Sequence, residues 1–168
     1  MIIHKSPCSI HHLIFSLTLL LLTGCTYGFS GTLPSHLKSI AIPVFENGTI
    51  KYGLESDLTQ KVVEEFIQDN HLKVVPEGES DSILWGKIMS YSRIPFAYEE
   101  TGVVNQDRIT IGVEVTFKDL KEGVVFIEKK GIEEWGAYLL DSETETKAIG
   151  EAIEKLARKI LREVIAGV

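Results

Sequence analysis

Residues 108–117 read Arg-Ile-Thr-Ile-Gly-Val-Glu-Val-Thr-Phe, and this stretch decides the fold. Ile109, Ile111, Val113, Val115 and Phe117 fall on one face. Arg108, Thr110, Gly112, Glu114 and Thr116 fall on the other. Strict alternation of this kind is the pattern of a strand with one buried face. Just downstream, a turn over Asp119 to Gly123 leads into a second strand, Val124 to Trp135, so the two form a hairpin. Upstream, Ser82 to Arg93 is a third strand. Leu84, Gly86, Ile88 and Ser90 share one of its faces, and Ile83, Trp85, Lys87, Met89 and Tyr91 share the other. Trp85 and Tyr91 are expected to sit half-exposed on a solvated face, since isolated surface aromatics are ordinary. Residues 94–105 hold Pro95, Gly102 and the Glu99-Glu100 pair, and are expected to be a long hairpin loop.

Helices flank this block. Leu54, Leu58, Val62 and Phe66 recur every four residues, with Val63 and Ile67 widening the stripe, which predicts a helix over Leu54 to Asn70. Glu55 and Asp57 suit its first turn, and Asn70 suits its C-terminal stop. A closing helix is expected over Ser142 to Val164, with a capping box from Ser142 and Glu145. Ile149, Ala152, Ile153, Leu156, Ile160 and Val164 form its apolar stripe. Lys155, Arg158, Lys159 and Arg162 are read as complementing the helix dipole and pairing with Glu151, Glu154 and Glu163. Lys38 to Phe45 is a strand that Pro43 places at a sheet edge, at least at that end. Asn47-Gly48 is a turn expected to use positive φ. Thr49 completes a glycosylation-type triplet there, which is read only as the turn. His71 to Val75 is a short strand. The sum is an α+β fold: a two-layer sandwich, a mostly antiparallel sheet with two helices on one face. The other sheet face is then either wet or covered by another protein.

The N-terminus is of another character. Leu13 to Leu22 is almost wholly apolar, broken by Ser16 and Thr18, and follows Lys5 and three His residues. An apolar run of roughly 10 residues suits a signal-peptide core, whereas a membrane span takes about 20. Leu22-Thr23-Gly24-Cys25 ends it as a bacterial lipobox: an apolar residue, two small ones, then a thiol able to take a diacylglyceryl group. Residues 1–24 are therefore expected to be a lipoprotein signal peptide, and Cys25 the lipidated residue. Residues 25–37 read as a tether and 38–168 as a single domain. Thr26, rather than Asp, follows the Cys, which favours the outer membrane.

The 168 residues carry 17 Lys+Arg against 24 Asp+Glu, a net charge of −7, which argues against a nucleic-acid partner. Two Cys supply neither a disulfide framework nor a Cys-based zinc site. Beyond the leader only His36 and His71 remain, both read as surface or loop side chains. No metalloprotease, nucleophile-elbow, phosphate-loop or dinucleotide motif is present. The pairs Glu64-Glu65, Glu99-Glu100 and Glu133-Glu134 are adjacent in sequence, so their side chains diverge in a strand or helix. No catalytic residue, metal or cofactor is expected, and the chain is not read as an enzyme.

Two segments carry a resemblance. Ile40-Ala41-Ile42-Pro43-Val44-Phe45-Glu46-Asn47-Gly48-Thr49 is followed by Gly53-Leu54-Glu55, Leu58-Thr59 and Glu65-Phe66. Leu84-Trp85-Gly86-Lys87-Ile88 leads to Ser90-Tyr91-Ser92. With the lipobox, Tyr27-Gly28-Phe29, the 108–117 strand and the closing helix, they resemble the LPS-assembly lipoprotein family, LptE. The resemblance implies a plug inside the large outer-membrane β-barrel LptD, lipid-anchored on the periplasmic side of the outer membrane. It also implies support for lipopolysaccharide transport, with lipopolysaccharide itself as a second partner. Lys87, Arg93 and Arg108 are candidates for a basic patch by position alone; no family binding motif maps onto them. The N-terminal half is also similar to CsgG- or TolB-related envelope lipoproteins, which would make the chain a secretion or scaffold component.

Overall fold

The computed structural model describes residues 33–98, 102 and 104–166. The expected signal peptide and Cys25 lie outside these residues. Among these residues, six strands and two α-helices follow in the order β1 (Ser39–Ala41), β2 (Glu46–Asn47), α1 (Leu54–Asp69), β3 (Lys73–Val74), β4 (Ser82–Tyr98), β5 (Val104–Asp119), β6 (Val125–Leu139) and α2 (Glu145–Ala166). The sheet runs β3-β1-β4-β5-β6, and β2 also pairs with β4. The short strands β1, β2 and β3 pair in parallel, while β4, β5 and β6 form long antiparallel ladders.

Ile109, Ile111, Val113, Val115 and Phe117 of β5 are all buried. They form one core with Leu58, Val62 and Phe66 of α1 and Ile153, Leu156 and Ile160 of α2. Burying so much branched and aromatic side chain from both helices against one sheet face is what holds the two layers together. Gly136 of β6 sets the closeness of α2, since a Cβ there would collide with the Ala148 carbonyl. Leu37 is also buried, so the packed domain includes the last residue assigned to the tether.

Several expectations are corrected. β1 is not an edge strand, because β3 flanks it on one side and β4 on the other. Pro43 lies outside both β1 and β2, where no ladder donor is needed. Past it the alternation slips: Val44 is exposed and Phe45 buried. Neither Asn47 nor Gly48 has a positive φ. Gly48 is instead required by close approach, as a Cβ there would lie 2.9 Å from the Ile88 carbonyl oxygen. Asn47 holds the bend with its side chain, accepting from the Thr49 amide and donating to the Lys51 carbonyl and Glu55 Oε2. Asn70 does stop α1, in a left-handed conformation with φ 57°. Ile67, however, is exposed and does not widen the stripe.

The largest correction concerns residues 94–105. β4 runs on to Tyr98 and β5 begins at Val104, so the expected loop is mostly strand. Pro95 sits within β4 opposite Asp107. The strand tolerates it because beyond Ile88 β4 pairs only with β5, leaving its other side without a ladder among the described residues. The capping box is also absent. α2 starts at Glu145, whose carboxylate meets Lys51 Nζ at 2.6 Å and accepts from Tyr91 Oη at 2.5 Å.

Candidate functional site

The helices cover one sheet face, and the other carries Trp85, Phe96 and Trp135. On β5 that outer face is Arg108, Thr110, Gly112, Glu114 and Thr116, by alternation with the buried set. Cross-strand register adds Trp85 (opposite Thr116) and Ile94 (opposite Arg108) from β4, and Trp135 (opposite Thr110) from β6. Trp85, Met89, Ile94, Phe96 and Trp135 are each 39–48% exposed. These apolar side chains are spread over roughly 30 Å, taking about 3.3 Å per residue from Trp85 to Ile94, with Lys87, Ser90, Ser92, Thr110 and Glu114 interspersed. Met89 borders a shallow hollow there with Ser90, Gly112 and Glu133. A second hollow of about 270 Å³ lies beside Trp85, Lys87, Glu114 and Thr116.

Tyr91 is not on this face. An extra residue at Met89 shifts the β4 register between Ile88 and Ser90, and the bulge turns Tyr91 inward towards α2. There it enters a polar cluster at the helix start. Arg93 Nε donates to Asp107 Oδ2 at 2.5 Å, its guanidinium lies 3.7 Å from Glu145, and it stacks over Tyr138. Burial and the hydrogen bond to Glu145 push the Tyr91 hydroxyl pKa up. The Lys51 and Tyr91 hydrogen bonds hold the Glu145 carboxyl below its ordinary range. These groups satisfy one another, and the cluster is a lock between β4, β5 and α2.

The three candidate cations are thus not one patch. Lys87 pairs with Glu46 at 3.4 Å on the exposed face. Arg93 points to the helix side. Arg108 packs against a pair of outer-face rings, 5.4 Å from the Phe96 centroid and 5.7 Å from that of Trp135, with the rings themselves 5.3 Å apart. The Arg108 Nε is buried without a hydrogen-bond acceptor among the described residues. Sequence reasoning named Arg108 but missed Ile94 and Phe96, which it assigned to a loop. The signal was present, since Ser92, Ile94 and Phe96 continue a period of two through Pro95.

His71 is exposed and meets Asp69 Oδ2 at 2.7 Å, as a surface side chain. His36 is partly buried, with Nε2 2.5 Å from Asp119 Oδ2 and Nδ1 3.8 Å from Glu122. The ligand atoms of His36, Asp119 and Glu122 lie within 4.8 Å of one another. Asp119 is nonetheless fully engaged as a turn lock, for its Oδ1 accepts from the Lys121 and Glu122 amides. The Lys121 ammonium, bonded to the His36 carbonyl, adds a positive charge beside the group. This donor set anchors the start of the domain to the β5–β6 turn and is poorly suited to a cation.

The comparisons agree with this architecture. The family model LptE, described as lipopolysaccharide-assembly, matches residues 37–164. No curated protein matches the chain. Among solved structures, the hypothetical protein CT253 from Chlamydia trachomatis is 12% identical, with a TM-score of 0.56 over 76% of this chain and 95% of its own. Uncharacterized lipoprotein B from Nitrosomonas europaea is 20% identical, with a TM-score of 0.51 over 83% and 88%. A PelC dodecamer from Paraburkholderia phytofirmans is 13% identical, with a TM-score of 0.51 over 82% and 95%. At these identities the structures speak for the fold alone.

Proposed function

This chain belongs to the LptE lipopolysaccharide-assembly family, and from that premise we propose that it plugs the outer-membrane β-barrel LptD and supports lipopolysaccharide delivery there. As a family member it is an envelope lipoprotein of lipopolysaccharide assembly and not an enzyme. The observation that carries the finer reading is the extent of the match: it runs from Leu37 to Val164 and takes in every described strand, α1 and all but the last two residues of α2. It favours this reading over the CsgG- or TolB-like one.

The anchor in this reading is Cys25, and the location is the periplasmic side of the outer membrane. Leu22-Thr23-Gly24-Cys25 and the Thr26 that follows support both. Several acyl chains on one terminus give durable attachment, at about 0.8 kcal/mol per buried methylene. Cys25→Ala should abolish incorporation of labelled palmitate; label retained by that variant would overturn the assignment. The partner is tested by recovering the tagged lipoprotein from its own outer membrane in mild detergent. A stoichiometric large β-barrel is the expected companion. Recovery of the chain alone, or as a homo-oligomeric ring, would overturn the plug reading.

A further inference from the structure

We infer that the outer sheet face is the surface by which this chain grips its protein partner, with Arg108, at the Ile94 end of that face, receiving a partner carboxylate. The inference rests on the barrel-partner reading and adds to it the face, the receiving residue and the chemistry of the matching group.

Three observations carry it. First, the exposed residues Trp85, Met89, Ile94, Phe96 and Trp135 gather on one face. Trp, Phe, Met and Arg are the side chains enriched where protein interfaces are most fully desolvated. Second, Arg108 is held in place before any partner arrives. Its guanidinium packs on the Phe96 and Trp135 ring pair and its Nε is buried, so little side-chain freedom is left to lose on binding. Third, its charge is unmet among the described residues. No described carboxylate comes within 4.0 Å of it, and its Nε has no acceptor. The other cation on the Trp135 ring, Lys155, is already paired with Glu151, and Lys87 along the face with Glu46. A guanidinium packed against aromatic rings, with no carboxylate beside it among the described residues, matches one planar carboxylate, which it binds through two parallel hydrogen bonds.

The same face argues against an anionic lipid as occupant. Glu114 and Glu133 share it with Arg108, opposite Gly131 and Gly112 in the β5–β6 ladder. Their charge opposes a multiply charged phosphate group more than a single carboxylate.

The test uses the full-length lipidated protein in its own cells. A photo-crosslinking amino acid is placed at Ser92 or Thr110 on the outer face, and at Gln60 on the exposed side of α1 as control. The barrel should crosslink from positions 92 and 110 and not from 60. Arg108→Glu should lower barrel recovery at least about ten-fold, as loss of a desolvated charge pair does. Arg108→Gln, which introduces no new charge, should lower it less and covers the case in which the reversal prevents accumulation. Barrel crosslinks from position 60 alone, or unchanged recovery with Arg108→Gln, would overturn this inference and leave the plug reading standing. Crosslinks from the outer face to lipopolysaccharide in place of protein would overturn the assignment of the partner. A wild-type chain that recovers no barrel overturns both.

Discussion

At Gly136 a single hydrogen atom decides how closely two layers pack. The Ala148 carbonyl of α2 occupies the space a Cβ would need. The obstacle is helix backbone, so it cannot rotate away as a side chain would. Gly136→Ala should destabilise the domain by about 1–3 kcal/mol, read from the denaturant midpoint, as overpacking of a core does. Asp81 works through charge. It accepts from the Lys121 ammonium at 2.7 Å and from the Lys38 amide at 2.8 Å, and these bonds lower its pKa to about 2. An unfolded Asp titrates near 3.9. The folded pKa is the lower of the two, so the stability Asp81 contributes is complete above about pH 4 and is lost as pH falls towards 2. Asp81→Asn should flatten the stability profile between about pH 4 and pH 2. An unchanged slope in denaturation midpoints over that window would show that the bonds to Lys121 and Lys38 are not formed in solution. Asp81 was not singled out in the sequence, because the strand start it braces and the Lys121 turn lie far apart along the chain.

Among the elements, β6 and α2 show how an exposed edge is closed without another strand. Lys155 Nζ donates to the Trp135 carbonyl at 2.9 Å, and Lys159 Nζ to the Glu133 carbonyl at 3.3 Å. Glu143 and Glu151 accept from the Leu139 and Ala137 amides of the same edge. The helix thereby supplies the groups that a neighbouring chain would otherwise provide. The sequence reading of this basic cluster as helix pairing holds for Lys155–Glu151 and Arg158–Glu154. Lys159 pairs with Glu134 instead, and Glu163 pairs with Lys130. Edge closure was not legible, because it depends on which strand the helix lies against. The double variant Lys155→Ala and Lys159→Ala should associate with rising concentration by light scattering, while its unfolding midpoint shifts by less than about 1 kcal/mol. Beneath these groups the helix is held by burial. Leu156 is fully buried, and Leu156→Ala should cost about 2–5 kcal/mol. An unchanged midpoint would contradict the packing of α2 on the sheet.

For the whole molecule, two faces of one sheet have opposite tasks. The inner face carries the branched residues that α1 and α2 bury. The outer face keeps two Trp and a Phe in reach of solvent. Under the proposed reading these rings meet the partner when the chain is in its assembly. The expected consequence is that the outer face loses access when the partner is present. Hydroxyl-radical labelling of Trp85 and Trp135 should fall in the recovered complex relative to the free chain, and equal labelling would leave that face outside the assembly.

The sequence by itself determined the class of fold, both helices and the identity of the buried residues on β5. It did so because the periods of two and 3.6 are local properties that a one-sided core imposes on consecutive residues. The family was legible for a similar reason, its resemblance being carried by contiguous strings. Only the tertiary structure decided that β1 is interior, that β4 continues through Pro95, and that Tyr91 leaves the face of Trp85. Each depends on a neighbouring strand: β3 beside β1, β5 opposite Pro95, and a one-residue bulge at Met89 that reverses the side chains from Ser90 to Pro95. A single inserted residue is invisible to alternation until the partner strand shows where the register slips. The setting of Arg108 against Phe96 and Trp135 likewise required three strands to meet.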